Sequence, residues 1–73
     1  MKIPIFEIYT HFKILYIYSP YCAQLSIYNI YGRLVASNPI NSGKSLMQLQ
    51  DTGIYMVKLT GSDYSIIKKV FVE

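Results

Sequence analysis

Seventy-three residues leave room for one domain and one small core, and a chain of this size buries only about 60% of the surface its unfolded form exposes. Cys22 is the only cysteine and His11 the only histidine, which excludes an internal disulfide and leaves no convincing zinc ligand set. The net charge of +3 comes from basic residues scattered along the chain, with only Lys68 and Lys69 adjacent, which argues against a nucleic-acid or anionic-membrane site.

The chain opens as secretory signals do, with Met1-Lys2 and then apolar residues. Glu7, His11 and Lys13 interrupt it before an apolar core can form, so no N-terminal signal peptide is predicted. No apolar run approaches the roughly 20 residues of a membrane helix. Tyr, Ile and Val dominate, and such residues fit a pleated, half-buried surface. Ile3–Tyr9 and Phe12–Tyr18 read as the first two strands, the former weakened by Pro4 as suits an edge or a strand start. Ser19-Pro20 breaks the run. Gln24–Ile30 alternates Leu25, Ile27 and Asn29 against Ser26, Tyr28 and Ile30. Asn29-Ile30-Tyr31-Gly32 predicts a type I turn with Gly32 at positive φ in an accompanying bulge, and Arg33–Ser37 returns as the hairpin partner. Asn38–Gly43 is the clearest loop. Ser45–Leu49 makes a short strand and Asp51-Thr52-Gly53 the next turn. In Ile54–Thr60, Tyr55, Val57 and Leu59 are placed inward because the other face carries Lys58. Gly61-Ser62-Asp63 turns the chain into Tyr64–Val72, with Val70 and Val72 inward. The sum is an all-β meander of about seven antiparallel strands folded as a small sandwich.

Chemistry is hard to find on these strands. His11 has no Ser, Cys or carboxylate constellation around it, Cys22 reads as a small buried or loop residue, and the four carboxylates offer no acid–base pair. Gly43-Lys44-Ser45 lacks the upstream glycine and following helix of a phosphate-binding loop. No catalytic, cofactor-binding or metal-binding residues are therefore expected, and the chain is read as non-enzymatic. Low charge (15%) with high hydrophobic content (52%) points instead to an exposed apolar patch of the kind that marks an interface. Tyr28 and Tyr55 are expected to complete the core with the hydroxyl outward. Tyr9, Tyr16, Tyr18, Tyr21 and Tyr31 are expected at an interface.

At Ile27-Tyr28-Asn29, Gly32-Arg33-Leu34-Val35, Leu46 and Leu49, Gly53-Ile54-Tyr55 with Val57-Lys58, and Lys68-Lys69-Val70-Phe71-Val72, the chain resembles a known family. It is similar to the type A C-terminal sorting domain of the type IX (Por) secretion system, over Leu15 to Glu73. The resemblance implies an immunoglobulin-like β-sandwich that tags a passenger protein for export. It implies recognition of the folded domain by type IX outer-membrane translocation and shuttle components. A sortase-like signal peptidase would then cut ahead of the domain, with the passenger reaching the cell surface or the medium by way of the periplasm. On this reading the recognition positions are Gly32, Arg33, Leu34, Val35, Gly53, Tyr55, Lys58, Lys68, Lys69, Val70 and Val72. Residues 1–14 lie outside the resemblance and are expected to form an atypical N-terminal strand or extension; residues 15–73 form the sorting domain. The chain is expected to be a truncated or detached tail of a longer precursor. Apolar edges at Ile3–Ile8 and Phe12–Tyr18 are expected to give a homodimer by strand pairing or strand exchange. The alternative reading is a small immunoglobulin-like adhesion or carbohydrate-binding module.

Overall fold

A computed structural model describes residues 6–73. Seven strands follow in order: β1 (Glu7–His11), β2 (Ile14–Ser19), β3 (Ala23–Asn29), β4 (Leu34–Ile40), β5 (Gly43–Gln48), β6 (Gly53–Thr60) and β7 (Ser65–Val72). They form two antiparallel sheets, one ordered β1-β2-β5 and the other β4-β3-β6-β7, packed face to face as an all-β sandwich. Side chains alternate across a strand with period two, so each strand sends one face to the layer between the sheets. That layer holds Ile8, Leu15 and Ile17 from the three-stranded sheet. Leu25, Ile27, Tyr55, Val57, Leu59, Val70 and Val72 meet them from the other, and Leu49 joins just past β5. The inward assignments for the sixth and last strands hold, and in the third strand it is the Leu25 and Ile27 phase that faces inward.

The chain departs from a meander. A meander pairs strands in chain order, whereas here β2 pairs with β5 and β3 with β6, and the chain changes sheet after β2, β4 and β5. The first change is made at Ser19, which is fully buried; its Oγ donates to the Tyr21 carbonyl at 2.5 Å, so the hydroxyl is not left unpaired as the chain turns.

Four further local expectations are corrected. The first two strands are displaced: Phe12 and Lys13 are not strand residues but the two-residue loop of the β1–β2 hairpin, closed by the His11–Ile14 pair, with φ of 51° and 66°. Two positive φ values are the requirement of a type I′ turn, whose right-handed twist matches the flanking strands. Residues 3–5 of the predicted first strand lie outside the described residues. The loop predicted from Asn38 shrinks to Asn41-Ser42, because β4 runs through Pro39 to Ile40. Proline is tolerated there because β4 is an edge strand, where a missing N–H breaks no ladder. Tyr28 is half-buried on the outer face of its sheet, between Met56 and Leu34, because Leu25 and Ile27 fix the opposite phase inward. Finally, β2 is the central strand of its sheet and offers no free edge for pairing.

The two sheets are tied along one side, where the Thr10 hydroxyl donates to the Phe71 carbonyl at 2.6 Å, joining edge strands β1 and β7. On the opposite side, between edge strands β4 and β5, the sandwich opens into a cleft of about 380 Å³ lined by Pro39, Ile40, Lys44 and Met47 among others.

Candidate functional site

The family-type residues gather mainly at one end of the four-stranded sheet, where the β3–β4 hairpin lies beside the loop into β6. Asn29 organises the hairpin. Its carbonyl accepts the Gly32 N–H at 3.0 Å, its N–H donates to the Arg33 carbonyl at 3.0 Å, and its Oδ1 accepts the N–H groups of Tyr31 and Arg33, both at 3.0 Å. Gly32 stands at φ 81°, as a turn followed by a bulge requires. The register then slips: Tyr28 pairs with Leu34 but Ile27 with Ala36, so Val35 is the extra residue of a β-bulge. The bulge bends the edge strand, and both Leu34 (52%) and Val35 (50%) stand exposed.

Facing this hairpin is Tyr55, which is 7% exposed and pairs with Asn29. Its hydroxyl donates to the Asp51 carbonyl four residues upstream, at 3.1 Å. A tyrosine reaching back from the start of a strand to the preceding backbone is the tyrosine corner of β-sandwiches, and it fixes the loop against the strand. Between the hairpin and this loop lies an open cleft of about 270 Å³, bordered by Ile30, Tyr31, Val35, Thr52, Gly53 and Ile54 among others.

The other positions fall elsewhere. Val70 and Val72 are buried and belong to the core. Lys58 lies on the outer face of the sheet, between Ser26 and Ile67. Lys68 pairs with Val57 and Lys69 with Met56, so the two lysines alternate across the last strand, which is a sheet edge. Both are exposed, the usual way of keeping an edge from pairing with another chain.

The five tyrosines do not share a surface. Tyr9, Tyr16 and Tyr18 stand on the outer face of the three-stranded sheet, with Tyr9 and Tyr16 stacked at 5.0 Å and 9° between planes. Tyr21 belongs to an aromatic group with Phe6 and Tyr64, whose hydroxyl donates to the Cys22 carbonyl at 3.4 Å. Tyr31 is the hairpin tip and is 86% exposed. Sequence reasoning missed Phe71, Ile54, Ile67 and Ile30, all exposed. For Ile54 and Phe71 the signal was present, since they occupy the phase opposite the buried Tyr55, Val70 and Val72, and they pair across β6 and β7.

Among the described residues no group of three or more His, Cys, Asp or Glu side chains could hold a metal ion, and no helix is long and apolar enough to cross a membrane. A search of curated proteins finds no match. A protein-family model described as "Secretion system C-terminal sorting domain" matches residues 7–73, a span that takes in all seven strands.

Proposed function

The chain belongs to the family of type IX secretion system C-terminal sorting domains, and from that premise we propose that it is read as a folded tag through the hairpin end of its four-stranded sheet. The type IX outer-membrane translocation and shuttle components would dock on exposed Leu34 and Val35, with Arg33 beside them. The observation that carries this reading is the bulge at Val35, which holds two apolar side chains outward on an edge strand. Apolar residues at such a position lower solubility and contribute little to the core, so a partner is their natural occupant.

The remaining family positions divide by physical role. Gly32 and Gly53, both at positive φ, shape the turns, and buried Tyr55, Val70 and Val72 hold the strands that present the surface. Lys58 would supply charge on the outer face of the same sheet, and Lys68 and Lys69 would guard the β7 edge. The domain is then a substrate: a sortase-like signal peptidase would cut ahead of it and release the passenger to the cell surface or medium. Fusing the chain to a reporter in a type IX-competent cell tests the reading. Leu34→Asp with Val35→Asp should leave the fold intact and lower export by about tenfold or more, since two apolar anchors each contribute on the order of 1 kcal/mol at an interface. Unchanged export of this variant would sink the docking assignment.

A further inference from the structure

The outer face of the three-stranded sheet is a grid set by its registers. Glu7, Tyr18 and Lys44 form one row, Tyr9, Tyr16 and Leu46 the next, and His11, Ile14 and Gln48 the third. Its middle is apolar and aromatic, with Tyr9 54% and Leu46 67% exposed, and a shallow depression of about 60 Å³ lies between Glu7 and Lys44. The opposite charges stand on the two outer strands, level with each other and on either side of β2.

We infer that this face is a docking surface for a second copy of the same chain, packed face to face about a two-fold axis running close to β2. Such an axis exchanges the β1 side for the β5 side while keeping each row level. Glu7 then meets the partner's Lys44, and Lys44 meets the partner's Glu7. Tyr9 covers the partner's Leu46, and Tyr16 and Tyr18 meet their own copies. Two sheets packed this way keep their strands within about 30° of parallel, the usual aligned geometry. The surface is thus complementary to itself in charge and in apolar content, as an isologous interface must be.

The area sets the strength. Three strands about 4.8 Å apart and about six residues long at ~3.3 Å give a footprint of roughly 280 Å². With side-chain relief the total buried is on the order of 800 Å², below the ~1,200 Å² of stable complexes. The dimer is therefore weak, with a dissociation constant of about 0.1–1 mM. It also differs from strand pairing: β2 lies at its centre, and no sheet edge takes part.

Sedimentation equilibrium of the full chain up to about 1 mM, with variants at Glu7 and Lys44, tests this. Glu7→Lys alone and Lys44→Glu alone each turn two attractive pairs per dimer into repulsive ones, and each should weaken association about tenfold or more. The double exchange, Glu7→Lys with Lys44→Glu, should return it to within about threefold of the unaltered chain. Concentration-dependent NMR shifts should fall on Tyr9, Tyr16 and Leu46. A monomer at 1 mM, or association without rescue by the double exchange, overturns the inference. So does a chain that stays monomeric but binds cello-oligosaccharides saturably on this face, which would make it a glycan platform.

Discussion

Replacing Tyr55 by Phe removes one oxygen atom and leaves the ring in place, which isolates the tyrosine corner from the core it also fills. The hydroxyl donates to the Asp51 carbonyl at 3.1 Å, and Asp51 is exposed. Water can therefore reach the freed carbonyl, and the loss should be that of one ordinary hydrogen bond, about 1 kcal/mol, rather than the larger cost of an unpaired buried group. Unfolding entropy of about 2.1 cal/mol/K per residue gives roughly 0.15 kcal/mol/K for a chain of this length, so the melting temperature should fall by about 6 °C. Thermal unfolding followed by circular dichroism measures the shift, and urea titration should show a lower midpoint at unchanged slope. Tyr55→Ala should cost about 3–5 kcal/mol, because the buried ring goes too; for a chain whose total stability is on the order of 4–11 kcal/mol, that approaches unfolding. A Tyr55→Phe protein that melts within about 1 °C of the original would refute the corner as an anchor of the loop into β6.

Gly61 lies against the Tyr64 ring so closely that an added Cβ would overlap it. Gly61→Ala should cost about 1–3 kcal/mol by displacing that ring from Phe6 and Tyr21, and the cost should shrink when Tyr64 is already Ala; an equal cost in both backgrounds would place the defect elsewhere. Phe12→Asn with Lys13→Gly puts the preferred type I′ pair in the β1–β2 turn. Phe12 is 75% exposed and loses little beyond its 4.3 Å ring contact with His11, so stability should rise by about 1 kcal/mol, and no rise in the urea midpoint would argue against the left-handed turn. Val70→Ala in the core should cost about 2 kcal/mol and reduce export of a fused reporter in a way that cooling restores. Leu34→Asp should leave the melting temperature within about 2 °C and reduce export at every temperature; restoration on cooling would show that it too acts through the fold.

The inward residues were legible wherever alternation met an unambiguous phase marker. Lys58 between Val57 and Leu59 is enough to turn Tyr55, Val57 and Leu59 inward, and Asn29 with Gly32 is enough to fix a bulged hairpin. The Phe12-Lys13 turn was illegible because neither residue is among those that favour positive φ, so only the pairing of flanking strands reveals it. Pro39 reads locally as a loop residue, and its place in a strand depends on β4 lying at a sheet edge, which no local pattern encodes. Periodicity says which side chains share a face. It does not say which sheet a strand joins, and that is why the crossings to β5 and β6 were missed. The tyrosine corner had a visible trace in Tyr55, four residues past Asp51 in Asp-Thr-Gly-Ile-Tyr, but the trace acquires meaning only once Asp51 is known to precede a strand that packs on β3.

This division bears on how a sorting tag can be dissected. Removing residues 68–73 deletes Lys68 and Lys69, but it also takes away Val70 and Val72 and most of an edge strand that pairs along the whole length of β6. Loss of export after such a truncation therefore follows equally from a lost contact and from an unfolded domain. The same holds for Gly32 and Gly53, whose replacement strains the backbone at positive φ before it alters any surface. Only exposed residues whose backbone holds no positive φ separate the two causes. Leu34, Val35, Lys68 and Lys69 meet that condition in side-chain exposure. The lysines interrupt an edge that would otherwise present Val70, Phe71 and Val72 to a second strand, so removing their charge adds an aggregation route of its own. That leaves Leu34 and Val35 as the positions where a change in export, at unchanged stability, reports on recognition alone.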